Sequence, residues 1–223
     1  MSLTQSLRQT YHALWEKMVT HPFVQELGRD TLPLAKFQRH FQQDYLFLRA
    51  FVTLLALAIA KAPDFPTKRR LAGFLAQVTE GEEALFRRAF REWGMSDAQV
   101  DAIRPHAKVA PYLSFMERIA YNGPFHYQLA LLVVSEWTYL DWAQRVVQTY
   151  RLPATPLYRQ WVELHSNPDF QAFVEWLRQR LDALGETLAP NARQGVAGVF
   201  SATLLHEVHF WDAAYHHEGT PSA

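Results

Sequence analysis

The feature that most constrains this chain is a long helical stripe of hydrophobic residues interrupted by one carboxylate. Between residues 34 and 55, apolar side chains recur every three or four positions, which predicts one face of a long amphipathic helix. The stripe consists of Leu34, Phe37, Phe41, Asp44, Leu48, Phe51 and Leu55. A buried carboxylate is costly unless a polar group meets it. Asp44 therefore belongs either to a functional site or to a structural polar pair with an arginine or tyrosine.

Two further helical stripes contain carboxylates. In the last predicted helix Glu207 takes the place of a hydrophobe in the series Val196, Phe200, Thr203, Glu207, Phe210 and Ala214. Glu136 shares a stripe with Leu129, Leu132 and Tyr139, and Ser135 lies beside it. Burial raises the pKa of a glutamate toward neutral pH, where it can donate and accept protons. Ser135 is also explained as a small residue that eases helix packing.

The periodic segments predict an all-α fold. The chain has 223 residues, 49% of them hydrophobic and only 9 of them glycine. Most prolines fall between periodic segments, which favours a few long helices over many short strands. We expect one helical domain, residues 1–223, folded as a multi-helix bundle. The predicted helices cover residues 7–18, 22–28, 33–62, 67–94, 112–121, 125–150, 156–164, 169–184 and 191–217.

Charge and cysteine content exclude several classes of function. Lys plus Arg and Asp plus Glu both number 22, so no basic surface for nucleic acid is expected. The chain has no cysteine, which excludes disulfides, thiolate metal sites and a cysteine nucleophile. The N-terminus lacks an apolar signal core, and the apolar run at residues 54–60 is too short for a membrane span. We expect a cytoplasmic protein without a membrane partner.

The sequence predicts no metal and no other cofactor. Four histidines occur late in the chain: His206, His209, His216 and His217. The first two flank Glu207 but lie three residues apart, whereas the His-Glu-x-x-His zinc motif requires four. A di-metal bundle requires Glu-x-x-His motifs, and Glu136 is followed by Tyr139 instead. We interpret the histidines as surface or packing residues, and we interpret one acidic run as a solvated helix face: Glu80, Glu82 and Glu83.

Several blocks of the sequence resemble the TenA/THI-4 family, the thiaminase II group within the haem-oxygenase-like fold. The opening block is fairly specific and the later ones follow in the family's order over nearly the whole chain. The blocks are His21–Gln25, Gly28, Thr31–Pro33, Phe37, Gln43–Asp44, Glu80–Leu85, Tyr112, the helix with Trp137 and Tyr139, Tyr158 with Trp161, and Glu207 with Phe210–Trp211. The resemblance implies a helical bundle that forms a homotetramer or dimer. It also implies a buried pocket for an aminopyrimidine related to the pyrimidine half of thiamin.

The resemblance assigns roles to individual residues. In the family an aspartate hydrogen-bonds the pyrimidine, and Asp44 matches it. Aromatic residues line the ring, and Tyr112 and Tyr139 match two of them. A glutamate on the last helix acts as general acid and base, and Glu207 matches it.

Three positions depart from the best-known branch of that family. Ser135 occupies the position of its cysteine nucleophile, and Phe47 and His165 occupy the positions of two pocket tyrosines. Relatives without the cysteine form a branch linked to hydrolysis of amino- or formylamino-pyrimidines from thiamin breakdown, and the chain is more similar to that branch.

A serine needs an adjacent base to act as a nucleophile, and Glu136 is a poor candidate because neighbours on a helix do not face each other. We therefore expect Glu207, together with Glu136, to activate water or protonate a leaving amine. Asp44 would hold the polar edge of the ring.

Two alternatives to a hydrolase remain open at this point. The first is a non-catalytic protein that binds a pyrimidine or another flat ligand with the same Asp44 and aromatic residues. The second is an oxidative relative of the same fold, similar to PQQ-biosynthesis proteins or di-metal oxygenases, which requires convergent histidine and carboxylate ligands. Metal analysis of the purified protein distinguishes the second alternative from a hydrolase. Calorimetry combined with turnover assays distinguishes the first, which predicts tight binding of a pyrimidine without turnover.

Overall fold

Prolines and polar capping residues mark most helix starts. The computed structural model describes residues 1–216, and these residues contain helices but no strand. The α-helices are α1 Leu3–Thr10, α2 His12–Val19, α3 Pro22–Gly28, α4 Leu34–Lys61, α5 Phe65–Gln77, α6 Glu83–Glu92, α7 Asp97–Asp101, α8 Ala110–Asn122, α9 Phe125–Tyr150, α10 Pro156–Ser166, α11 Pro168–Thr187 and α12 Pro190–Tyr215. Ser2 and Ser96 form capping boxes at α1 and α7, which satisfy backbone N–H groups of the first turn. The prediction of an all-α fold is confirmed.

The predicted helix over residues 67–94 is not continuous. A π-helical turn, Val78–Glu82, lies between α5 and α6. Gly81 weakens the α-helix there, since glycine has a low helix propensity. Thr79 Oγ1 donates hydrogen bonds to the carbonyls of Leu75 and Ala76 at 2.9 and 3.2 Å, which supports the wider turn. Such turns occur often at functional sites.

The predicted first helix is also divided. Tyr11 leaves helical geometry between α1 and α2, and its ring lies 6.1 Å from the ring of Phe200. The Tyr11 side chain thus packs on the last helix at the point where the first helix breaks. The periodicity of the sequence does not predict this break.

The core lies around α9, which is buried on every side along its middle section. Residues 128–140 are all buried, so this helix is surrounded by its neighbours. It packs against α2, α3, α4, α8, α10, α11 and α12. Four fully buried tryptophans fill the space between these helices: Trp15, Trp142, Trp161 and Trp211. The carboxylates on α4, α9 and α12 are thereby brought into one interior.

By length and composition alone, α4 could cross a membrane, with a mean hydropathy of 1.5 over its most apolar window. The core helix of a helical bundle has the same character. In this structure α4 packs against α5, α8, α9 and α12 and carries Asp44 into the interior. These contacts account for the buried part of its apolar surface.

Candidate functional site

A cavity of about 590 Å³ opens between α4, the π-helical turn, α9 and the α10–α11 corner. Six of the predicted site residues line it: Asp44, Phe47, Ser135, Glu136, Tyr139 and His165. The remaining wall consists of Leu48, Phe51, Phe74, Gln77, Val78, Glu80, Gly81, Glu82, Leu164, Asn167, Asp169, Phe170 and Phe173. This volume suits a small ligand, and the mixture of aromatic walls with a few polar groups is typical of such sites.

Asp44 presents a carboxyl group to the cavity from the middle of α4. The residue is only 4% exposed, and its Oδ2 atom is buried without a hydrogen-bond partner among the described residues. Burial raises the pKa of Asp44 well above its ordinary value, and the nearby carboxyls add to the increase. Because Asp44 lines the cavity while Oδ2 is buried, Oδ1 is the oxygen left for a ligand.

Glu207 does not line the cavity, although it is buried close to it. Tyr112 donates its hydroxyl hydrogen to Glu207 Oε1 at 2.6 Å, and the same hydroxyl lies 3.0 Å from Ser135 Oγ. Since the tyrosine hydrogen points at the carboxylate, the Ser135 hydroxyl donates to Tyr112 Oη. Ser135 thus joins the cavity to Glu207 through Tyr112. Tyr112 and Glu207 are not among the residues that line the cavity, and their roles in the site remain predictions.

The two glutamates differ in their surroundings. Burial raises the pKa of Glu207 to about 7, and the hydroxyls of Tyr112 and Ser135 oppose that increase. Burial, together with the charges of Glu82 and Glu207, raises the pKa of Glu136 well above its ordinary value. Near neutral pH, Glu207 therefore exchanges a proton readily, while the surroundings of Glu136 favour its protonated form. Two carboxyls with different proton affinities can supply a base and an acid to one reaction.

Flat side chains form the walls. The Tyr139 ring lies 4.9 Å from that of His165 and 5.8 Å, nearly parallel, from that of Trp211. Phe47 packs 5.4 Å from Tyr112. His165 Nδ1 donates to the Trp161 carbonyl at 2.9 Å, and burial lowers its pKa to about 4. His165 is therefore neutral, and its Nε2 keeps a lone pair that can accept a hydrogen bond.

The interpretation of the acidic run as a solvated face is wrong for Glu82. It lines the cavity from the π-helical turn, and burial raises its pKa to about 7. The interpretation suits Glu83, whose Oε1 accepts a bond from Arg87 at 2.8 Å. Glu82 could have been found from the sequence, because it continues an apolar stripe in the same way as Asp44. That stripe is Leu71, Phe74, Val78, Glu82 and Phe86.

The cavity carboxyls do not converge as di-metal ligands do. Within residues 1–216, one group of three has ligand atoms within 4.8 Å of one another: His21, Asp212 and His216. His21 Nδ1 accepts from the Phe23 N–H at 3.1 Å, so its proton is on Nε2, which faces Asp212 at 3.3 Å. Burial lowers the pKa of His21, so the ring is neutral and Nε2 has no lone pair for a metal. His21 is therefore the N-cap residue of α3, and Asp212 accepts a hydrogen bond from its ring.

Among the late histidines, which were predicted to be surface or packing residues, the half-buried His206 packs against aromatic side chains and His216 is exposed. His206 stacks on Tyr112, with ring centres 5.1 Å apart and planes 4° apart. It also lies 5.2 Å from Phe115. His217 lies outside the described residues. His206 therefore packs against the face of the Tyr112 ring.

Comparisons with known proteins agree with this arrangement. The TENA/THI-4/PQQC family model matches residues 8–217. An aminopyrimidine aminohydrolase from Halalkalibacterium halodurans is 30% identical over 215 residues, covering 96% of this chain and 96% of that protein.

Two solved structures show the same fold. A TenA homologue from Pyrococcus furiosus has a TM-score of 0.87 at 22% identity and covers 96% of this chain and 100% of its own. A domain with a haem-oxygenase-like fold from Shewanella denitrificans has a TM-score of 0.71 at 16% identity, and the match covers 96% of this chain and 92% of that domain's chain. Helical architecture and a family match over nearly the whole chain lead to one conclusion: this protein is a member of the TENA/THI-4/PQQC family.

Proposed function

We propose that this protein is an aminopyrimidine aminohydrolase that acts on amino- or formylamino-pyrimidines related to the pyrimidine half of thiamin. In the amine reaction one water is consumed, the C–N bond breaks, a C–O bond forms, and ammonia leaves. The name of the Halalkalibacterium halodurans relative supports this reaction. The observation that carries the proposal is the serine–tyrosine–glutamate chain of hydroxyl and carboxyl groups that ends at an aromatic cavity.

The cavity walls would hold the ring. Phe47 and Tyr139 offer flat apolar surfaces to a planar heterocycle. Asp44 Oδ1 would accept a hydrogen bond from the exocyclic amine. His165 Nε2 is a second acceptor on the opposite helix. Together these groups would fix the orientation of the ring, which is the step that brings the scissile C–N bond to the catalytic carboxyls.

Glu207 would act as the base without contacting the substrate, through a relay of hydroxyl groups. A water in the cavity would donate to Ser135 Oγ, which donates to Tyr112, which donates to Glu207. Each hydroxyl passes on one proton and receives another, so the water becomes a nucleophile while Glu207 takes up the net proton. The cysteine-free site therefore needs no covalent intermediate. Ser135 has a role as a relay rather than as a nucleophile.

Glu136 would act as the acid. It lines the cavity directly, and burial raises its pKa, which favours the protonated form that an acid needs. Transfer of its proton to the departing amine avoids the release of an amide ion, which is a very poor leaving group. Glu207 could return its proton through the relay afterwards. The cycle then ends with Glu136 reprotonated and ammonia released.

The proposal is tested by ammonia release from aminopyrimidines with amino substituents on the ring or on a ring methyl group, and formate release from the formylamino analogues. We expect turnover by the wild-type protein and by Glu117→Gln, an exposed glutamate on α8. Glu207→Gln should lose about 10²- to 10⁴-fold in kcat. Tight binding by calorimetry without turnover in any compound would refute hydrolysis and support a non-catalytic pocket protein.

Other features remain proposals of the same kind. We propose one helical domain over residues 1–223, a cytoplasmic location, and a homodimer or homotetramer that binds no nucleic acid. Light scattering of the purified protein tests the oligomeric state, and a monomer at micromolar concentration would refute it.

A further inference from the structure

His40 is the nearest polar neighbour of the buried side of Asp44. The two residues lie four positions apart on α4, so they occupy the same face of the helix. His40 Nε2 is 3.4 Å from Asp44 Oδ2. Neither atom has a hydrogen-bond partner among the described residues, and His40 is fully buried. The proposed substrate chemistry leaves this histidine without a role, although it is buried directly behind the carboxyl that would hold the ring.

The surroundings of His40 are aromatic. Its ring centre lies 4.7 Å from that of Trp211 and 5.1 Å from that of Phe23. Trp161 and Phe210 follow at 5.8 and 5.6 Å. Burial in this cage lowers the pKa of His40 to about 3, so the imidazole is neutral at physiological pH. A neutral ring carries one N–H group, and the position of that proton decides what the histidine can do.

The contact with Asp44 selects the tautomer. When Asp44 is ionised, a proton on Nδ1 would bury an N–H group without an acceptor and would set the lone pair of Nε2 against that of Asp44 Oδ2. A proton on Nε2 removes both penalties, because that N–H then points at the carboxyl oxygen. The present 3.4 Å separation exceeds an ordinary N–H···O bond by roughly 0.5 Å, and such contacts often shorten when a ligand binds.

We infer that His40 is a positioning residue: its Nε2–H group holds Asp44 Oδ2 on the buried side, so that Oδ1 faces the ligand. The inference rests on the proposed pyrimidine site. Without the donor, Oδ2 is a buried carboxyl oxygen with no partner, and the ionised form of Asp44 becomes less favourable still. A rotated Asp44 no longer presents Oδ1 to an exocyclic amine. Because Asp44 contacts the ring before and during the reaction, its misplacement raises KM more than it lowers kcat.

The first test compares two substitutions that differ in the donor. His40→Phe keeps a planar side chain and loses the N–H, whereas His40→Gln places an amide N–H near the position of Nε2. We expect KM for the hydrolysed aminopyrimidine to rise about tenfold to hundredfold in His40→Phe with kcat within a few fold. His40→Gln should recover most of that loss. An unchanged KM in His40→Phe, even with a lower melting temperature, would show a purely structural residue and overturn the inference.

The second test asks whether His40 acts through Asp44. In an Asp44→Asn background, His40→Phe should cause no further increase in KM, because the carboxyl it positions is already absent. Equal effects of His40→Phe in both backgrounds would overturn the inference. His126→Phe, on a half-buried histidine at the start of α9, is the control for loss of an imidazole away from Asp44.

A binding experiment separates failure of this inference from failure of the proposed function. Calorimetry with 4-aminopyrimidine as the probe requires no turnover. If the wild-type protein binds the probe but releases no ammonia from any pyrimidine, hydrolysis is refuted and the His40 comparison still stands. A weaker affinity in His40→Phe, recovered in His40→Gln, is the expected result. Equal affinity in all three proteins, or no binding to any of them, would overturn the role of His40.

Discussion

Tyr112 donates its hydroxyl hydrogen to Glu207 Oε1 at 2.6 Å, and this contact places two hydroxyl groups between the glutamate and the cavity. The glutamate is buried and is not among the residues that line the cavity, whereas Ser135 is. In the proposed relay a proton reaches Glu207 through Ser135 and Tyr112. This geometry makes the three side chains one functional unit, and it predicts how they respond to substitution.

Tyr112→Phe should remove the central member of the relay and keep the aromatic packing. Phe47 and His206 pack against the Tyr112 ring, and phenylalanine preserves both contacts. We expect kcat for aminopyrimidine hydrolysis to fall about 10²-fold with little change in KM. The double variant with Glu207→Gln should be no slower than Glu207→Gln alone, because both changes interrupt the same chain. Multiplicative losses in kcat would contradict a single relay, and Tyr121→Phe on the surface is the control.

Ser135→Ala should interrupt the relay at the cavity end. Ser135 lines the cavity and its Oγ lies 3.0 Å from Tyr112 Oη, which in turn donates to Glu207 Oε1 at 2.6 Å. We expect kcat to fall about 10- to 100-fold, and the solvent isotope effect on kcat to decrease. The exposed Ser114→Ala should match the wild type in both quantities. A rise in KM at constant kcat would assign Ser135 to ligand binding instead.

Glu82→Gln should move the alkaline limb of the pH–rate profile to lower pH. The negative charge of Glu82 contributes to the raised pKa of Glu136. Its removal lowers that pKa, so the proposed acid loses its proton at a lower pH. Kinetics between pH 6 and 10 measure the shift, with the more exposed Glu80→Gln as the comparison. A profile identical to the wild type would show that Glu82 exerts no influence on the acid.

The sequence predicts which face of each helix points into the interior better than it predicts how far a side chain on that face lies from the cavity. The stripes of α4 and α9 locate Asp44, Glu136 and Tyr139 at the cavity because periodicity decides which side of a helix faces the interior. Glu207 lies on an inward face for the same reason. Periodicity does not say which layer of the interior a residue reaches, and so the separation of Glu207 from the cavity by Tyr112 required the structure.

Two functional features were missed for different reasons. Glu82 continues an apolar stripe, but its acidic neighbours favoured the interpretation as a solvated face, and the π-helical turn has no reliable sequence pattern. His40 lies on the predicted Asp44 face, yet a histidine among aromatic residues also suits ordinary core packing. Its closeness to Asp44 Oδ2 depends on side-chain geometry, which no spacing rule supplies.

The pH dependence of kcat should contain an acid limb set by Glu207. Only the ionised carboxylate can accept the relayed proton, and its pKa is about 7. The rate should therefore rise about tenfold per pH unit well below pH 7 and level off above it. Steady-state kinetics from pH 5 to pH 9 measure this limb. In Glu207→Gln the residual rate should lack it, and persistence of the limb there would assign it to another group.

The stability of Glu207→Gln relative to the wild type should increase with pH. The folded pKa of Glu207 is about 7 and its ordinary value is 4.5. Between these values the unfolded chain releases the proton that the folded protein retains, so the free energy of unfolding of the wild type falls as pH rises. Glutamine has no such proton. The difference between the two proteins should therefore move by about 3 kcal/mol in favour of the variant from pH 4.5 to pH 8.

Urea unfolding at several pH values measures this difference, and a constant cost of the substitution cancels because only the change with pH is compared. Glu117→Gln, on an exposed residue, should show no such trend relative to the wild type. Buried groups that do not interact with Glu207 titrate equally in the wild type and the variant, so their contributions cancel as well. A difference independent of pH would mean that Glu207 is ionised in the folded protein throughout this range. That result would contradict a base with a pKa near neutrality, because the acid limb of the rate would then lie far below pH 7.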